Sequence, residues 1–258
     1  MQMGDAAMQS QMLGDMLPVL EILLETGEGI VSETGQLSWM SGGIAMNTTT
    51  AAAGSSGFLG AIGRAMSGGG LFMTEYSAPS GPGVVAFAAK IPGRIIEVNL
   101  APGQSYLVHK HGFLCATPGV QLSTGFQQSL GAGIFGGNGF LLQRLSGPCT
   151  AWVELGGEVV ARELAPGEIV RVHPGHVGMF EESVRFGITA VPGIRNAIFG
   201  GDGIFLAELT GPGKVWLQTL TLPNLAHALQ PYLTDAPSPA TTLESGVAGA
   251  VLRNLFSK

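Results

Sequence analysis

Apolar residues recur at every second position over short runs of this chain, the spacing of strands with one packed face and one more polar face. VLEILLETGE from Val19, IIEVNLAPGQ from Ile95 and VVARELAPGE from Val159 align with one another, and each closes on a Pro/Gly-type turn. Gly27, Gly103 and Gly167 match, at offsets of 76 and 64 residues. The register continues through GIVSETGQLSWM from Gly29, SYLVHKHGFLCA from Ser105 and IVRVHPGHVGMF from Ile169. Ile30, Tyr106 and Val170 coincide there, followed by Ser32, Val108 and Val172. Leu37, Phe113 and Val177 come next, then Trp39, Cys115 and Met179, a series expected to pack inward. A third run repeats as GLFMTEY at Gly70, GFLLQRL at Gly139 and GIFLAEL at Gly203. The turns that follow align Gly81, Gly147 and Gly211, and strands resume around Val85, Ala151 and Val215.

Each unit supplies several short strands but buries only part of a face, so the three must associate to complete a core. The pattern predicts an all-β fold, a β-sandwich of three internal pseudo-threefold repeats within one domain over residues 16–223. The repeats fall at about 17–93, 94–157 and 158–222. Leu225, Ala228, Leu229 and Leu233 then lie at helical spacing, which predicts a short C-terminal helix over 224–234. Residues 1–15 read as a flexible tail. Residues 235–258 read as a second, with a short amphipathic helix over Val247–Phe256. The Gly/Ala/Ser/Thr-rich stretch Thr48–Gly70 reads as a surface loop that lengthens the first copy.

Composition sharpens this picture. Glycine occupies 41 of 258 positions, and at matched places it punctuates strands. A hydrophobic fraction of 45% excludes global disorder. Charged residues make up only 12%, about half the roughly 25% of an ordinary globular domain. The net charge of −6, with lysines only at positions 90, 110, 214 and 258, argues against a phosphate-tracking surface, so no nucleic-acid partner is expected. The first basic side chain is Arg64, so neither a secretory nor a transit signal is read, and a cytoplasmic location is expected. No apolar run approaches the ~18 residues of a spanning helix. Cys115 and Cys149 have neither metal-type spacing nor the number for a disulfide framework.

The ordered series LEILLETGEGIVSETGQLSWM, HKHGFLCATPGV and FGGDGIFLAELTGPG resembles the altered-inheritance-of-mitochondria family, over roughly Met16 to Leu233. The family is a domain of unknown function with a fold like the trp RNA-binding attenuation protein. The resemblance implies a β-sandwich with internal pseudo-threefold repeats. It rests on spaced glycines and apolar strand positions, so it implies a fold and no catalytic residue. Fungal members act in organising the mitochondrial inner membrane, a role not carried over to a chain read as lacking a transit peptide.

Few residues suggest chemistry. Gly131–Gly136 fits GxGxxG, but a strand-like segment follows where a dinucleotide site needs a helix, so it reads as a glycine loop. His109 and His111 share one strand face, as metal ligands do in cupin barrels, yet no carboxylate follows within Gly112–Gly119. Glu33, His109 and His173 occupy one repeat position; near a threefold axis they would form two histidines and a carboxylate, a non-haem iron ligand set. His173 to His176 otherwise reads as a turn. Cys115 falls in the packed series as a structural thiol, while Cys149 lies in a turn with nothing nearby to lower its pKa. Glu181 and Glu182 read as a solvated turn after a strand, and no G-x-S-x-G nucleophile elbow occurs.

The function expected is a non-enzymatic structural or interaction protein acting as a homo-oligomeric β scaffold, taken as a trimer, with no cofactor. A mean hydropathy of +0.34 with few charges leaves apolar surface for partners to cover. The alternative is a cupin-like metal-dependent or small-molecule-binding enzyme using Glu33, His109, His111 and His173. A third reading is peripheral membrane contact through Val247–Phe256 and Phe58–Met66.

Overall fold

The structure, a computed structural model, describes residues 8–50, 72–128, 140–190 and 205–233. Among them are nineteen strands and one α-helix, so the fold is all-β with a single C-terminal helix. The first segment holds β2 (Val19–Leu24), β3 (Gly29–Glu33), β4 (Trp39–Met40), β5 (Ala45–Thr50), β6 (Phe72–Ser77) and β7 (Gly83–Ala88). The second holds β8 (Gly93–Leu100), β9 (Ser105–His109), β10 (Phe113–Ala116), β11 (Gln121–Gln128), β12 (Phe140–Ser146) and β13 (Cys149–Gly156). The third holds β14 (Val159–Leu164), β15 (Ile169–Val172), β16 (Val177–Glu181), β17 (Arg185–Ala190), β18 (Phe205–Thr210) and β19 (Gly213–Gln218).

One pairing scheme serves all three segments. The first strand pairs antiparallel with the sixth, as β2–β7, β8–β13 and β14–β19. The second and fourth strands flank the fifth, and the third flanks the sixth. Each segment is thus two small layers face to face, with an apolar cluster between them. Leu20, Ile22, Ile30, Tyr76 and Phe87 fill the first. Val98, Val108, Leu122, Leu145 and Val153 fill the second, and Leu164, Val177, Phe180, Leu209 and Val215 the third.

The turn between first and second strands shows why the sequence repeats. Gly27, Gly103 and Gly167 have φ of 90°, 81° and 79°, the left-handed region where a side chain costs about 1 kcal/mol or more. The residue after each glycine caps its own turn. Glu28, Gln104 and Glu168 accept, through a side-chain oxygen, the backbone N–H three residues earlier, each at 2.9 Å.

Three expectations change. The tail over residues 1–15 contains a strand, β1 (Gln9–Leu13), which pairs along all five residues with β2 and covers that sheet edge. The Gly81 alignment shifts, because Ala78 donates to the Glu28 carbonyl as Gly147 donates to Gln104 and Gly211 to Glu168. Gly81 instead lies in the extra residues that follow, with open space where a Cβ would stand. The helix, α1, runs Leu222–Leu233 and starts before 224, since Pro223 suits a first turn whose N–H groups have no helical partner. It belongs to a separate unit. Gly70, most of Thr48–Gly70, Gly131–Gly136, Gly139, Gly203 and the tail from 235 lie outside the described residues. No helix among the described residues is long and apolar enough to cross a membrane.

Candidate functional site

The residues singled out for metal chemistry each have their own neighbours. Glu33, partly buried at the end of β3, accepts a 2.8 Å hydrogen bond from Gln143 Nε2 on β12. Burial raises its carboxyl pKa, and that hydrogen bond pulls the other way. His109 Nε2 lies 3.1 Å from the Glu154 carbonyl oxygen. Burial lowers the His109 pKa to about 4, so its ring is neutral at ordinary pH. His111 and His173 are exposed, and the His173 ring stands against His176. Among the described residues no three His, Cys, Asp or Glu side chains come together as a ligand group. Repeat equivalence therefore places Glu33, His109 and His173 at matching strand ends without assembling them.

His176 Nδ1 lies 2.8 Å from the Gln218 carbonyl, and Gln218 is the repeat equivalent of Glu154. His176, carried by a short 3-10 turn, takes the role that His109 has in the second copy, so the sequence match of His109 with His173 is a match of position only. Glu154 Oε1 accepts the Lys90 and Ile91 N–H groups, and Gln218 Oε1 accepts that of Gly156, which fastens successive segments. Cys115 is buried with its thiol pKa raised, and burial lifts that of Cys149 to about 11, so both thiols are held protonated.

The feature that distinguishes one part of the molecule from its repeats is a strand edge. Segments join through their second and third strands: β3 pairs with β10, and β9 with β16. These seams produce two six-stranded sheets, β5-β6-β3-β10-β13-β8 and β11-β12-β9-β16-β19-β14. The third such seam would join β15 to β4. Instead β15 ends a three-stranded sheet, β15-β18-β17, and β4 ends a four-stranded one, β1-β2-β7-β4.

The consequence is apolar surface in water. Cys115 and Met179, the equivalents of Trp39, are both fully buried, whereas Trp39 is 47% exposed. This corrects the expectation that Trp39 packs inward. Met40 is exposed beside it, and Ile169 is exposed on β15. A signal was present in the sequence. At the closed seams a tryptophan on the sixth strand faces a smaller residue on the third, as Trp152 faces Cys115 and Trp216 faces Met179. At the open edge the pair is reversed, with Ala86 on β7 and Trp39 on β4. The Trp39 indole N–H reaches across Ala86 to Glu21, which Gln11 of β1 also contacts.

Comparison with known proteins agrees with this architecture. The family described as Mitochondrial biogenesis AIM24 matches residues 10–220. An uncharacterised protein of Streptococcus pyogenes serotype M6 is 28% identical over 220 residues, covering 84% of this chain and 87% of that protein. The X-ray crystal structure of a Streptococcus pyogenes protein, a structural-genomics target, superposes with a TM-score of 0.68 at 25% identity. That match covers 88% of this chain and 100% of the other.

Proposed function

The chain belongs to the Mitochondrial biogenesis AIM24 family, and from that premise we propose that it is a non-enzymatic structural or interaction protein working as a homo-oligomeric β scaffold. The observation that carries this reading is that, among the described residues, no strand covers the edges β4 and β15, and Trp39, Met40 and Ile169 are exposed. Strand edges and contiguous apolar surface both favour association. The histidines support the non-enzymatic part, since His109 and His176 hold backbone carbonyls and Glu33 holds Gln143. Sedimentation velocity across nanomolar to tens of micromolar chain tests the reading. A mass that rises above the 26.5 kDa monomer, with three copies as the stoichiometry expected, supports it. A monomer throughout that range overturns it.

A further inference from the structure

We propose that β4 of one copy pairs antiparallel with β15 of a second copy, completing between chains the seam that β3–β10 and β9–β16 complete within one. The inference rests on the homo-oligomer reading and names its contact. The edges β5, β8, β11, β14 and β17 are sheet ends in the copies where their equivalents are described, apart from β2, which β1 covers. By contrast, β4 and β15 are ends although their equivalents are interior. Each is therefore the counterpart that the other lacks.

The closed seams dictate the register. Cys115 pairs with Ser32 and Ala116 with Val31; Met179 pairs with Val108, Phe180 with Leu107 and Glu181 with Tyr106. Carried to the open edges, Trp39 faces Val172, Met40 faces Arg171 and Ser41 faces Val170. One transverse row then becomes continuous, from Glu21 through Ala86 and Trp39 to Val172, Ala207 and Ile188.

Two features assign the partner to a second copy rather than to the chain's own β15. Among the described residues of one chain neither edge has a partner strand, and Trp39, Met40 and Ile169 are exposed while Val170 and Val172 are half-buried. The position filled by buried Val31 and Leu107 at the permanent seams carries Arg171 on β15, exposed and ion-paired to Glu208 at 3.0 Å. A charge there suits an edge that exists free as well as paired. The neighbouring edges carry more of the charge that discourages pairing, with Arg94 and Glu97 on β8 and Arg162 and Glu163 on β14 against Arg171 alone on β15. In contrast, β4 presents only Trp39 and Met40. A contact between two different patches is head-to-tail, and it builds a ring where the rotation closes.

The test is disulfide capture in a Cys149→Ser background. Met40→Cys and Arg171→Cys chains are purified separately, mixed and oxidised mildly. Directly opposed strand residues have Cβ atoms about 4.5–5.5 Å apart, close to disulfide reach. The expected result is a covalent heterodimer forming at least ten-fold faster than from Met40→Cys mixed with Val172→Cys, whose side chains would lie on opposite faces. Monomers cross-linked internally in the Met40→Cys/Arg171→Cys double variant, with no heterodimer in the mixture, overturn the proposal in favour of closure within one chain. Met40→Cys homodimers alone overturn it in favour of a β4–β4 contact. An assembly seen by sedimentation without either cross-link overturns this contact and leaves the scaffold reading standing. A monomer at every concentration removes both.

Discussion

The row that crosses the sheet at β10 and its counterpart at β4 begin alike and end differently. In the first, Glu97, Trp152, Cys115, Ser32 and Thr74 stand side by side over five paired strands, and the middle members are buried. In the second, Glu21, Ala86 and Trp39 stand in the same order, and the row stops at an edge. Both rows contain one tryptophan, so hydrophobicity does not separate them. The difference is whether the strand carrying the indole has a neighbour on each side, as β13 has, or ends its sheet, as β4 does. Burial here is a property of pairing between segments, and residue type alone does not decide it.

The sharpest way to break the comparison is to remove the tryptophan that is covered. Trp152 is 1% exposed and packs with Ile30, Tyr76 and Phe87 of the first segment. Trp152→Ala leaves a large cavity at a seam that joins two segments, and should cost about 3–5 kcal/mol. Urea denaturation followed by circular dichroism reads this as a lower midpoint. A loss below about 1 kcal/mol would mean that the seam contributes little to stability.

A smaller effect comes from the histidine against the Glu154 carbonyl, two residues along β13 from Trp152. The folded-state pKa of His109, about 4, lies below its ordinary value of 6.5. The unfolded chain therefore binds the proton first as pH falls. The His109 contribution is fully present above pH 6.5 and is lost progressively toward pH 4, a change on the order of 2 kcal/mol. Glu33 and Glu154 have raised pKa values and act in the opposite sense, losing stability as pH rises through their titration. The difference between wild type and His109→Asn isolates the histidine. Unfolding free energy should fall more steeply from pH 6.5 to pH 4.5 in wild type than in the variant. Parallel curves would show that the ring titrates normally.

The turn glycines probe what all three segments share. No atom lies within 4 Å of where a Cβ on Gly103 would stand, so Gly103→Ala tests the left-handed backbone alone. A loss of about 1 kcal/mol is expected. Gly167→Ala, with φ of 79° and the same open space, should match it to within a few tenths of a kcal/mol, since the two turns share one hydrogen-bonding scheme. Unequal losses would show that the repeat is less regular in energy than in form.

Much of this fold was legible as repetition. The ETGE, APGQ and APGE turns and the period-two strands report local geometry, and local geometry repeats with sequence. Position 81 misled because an insertion restored a glycine near the right place, while the backbone bond belongs to Ala78. Strand β1 was missed because Gln9, Ser10 and Gln11 show no apolar face, and the strand exists only by pairing with β2. The histidine alignment matches position but not contact, for a related reason. A strand position transfers between copies, but the Pro174–His176 turn lets a different residue reach the equivalent carbonyl. The open edge was least legible of all, because what happens at Trp39 depends on strands more than a hundred residues away.

The smallest expected change in stability carries the most about that edge. Trp39 keeps one side in water and makes one indole hydrogen bond, at 3.2 Å to Glu21, itself a contact between exposed groups. Truncation there opens no enclosed cavity, so Trp39→Ala should shift the unfolding free energy of the isolated chain by no more than about 0.5–1 kcal/mol. The same substitution removes the largest apolar side chain from the proposed β4–β15 contact, where a central tryptophan commonly accounts for 2 kcal/mol or more of association. Sedimentation velocity should therefore show the dissociation constant rising by at least about ten-fold while the urea midpoint, measured at submicromolar chain, barely moves. Measured beside Trp152→Ala, this separates the two tryptophans by what each one holds together. Trp152 holds two segments of one chain, and on the proposed contact Trp39 would hold one chain to the next. If Trp39→Ala instead costs as much stability as Trp152→Ala in the monomer, the edge is already closed within the chain, and the contrast between the two rows disappears in solution.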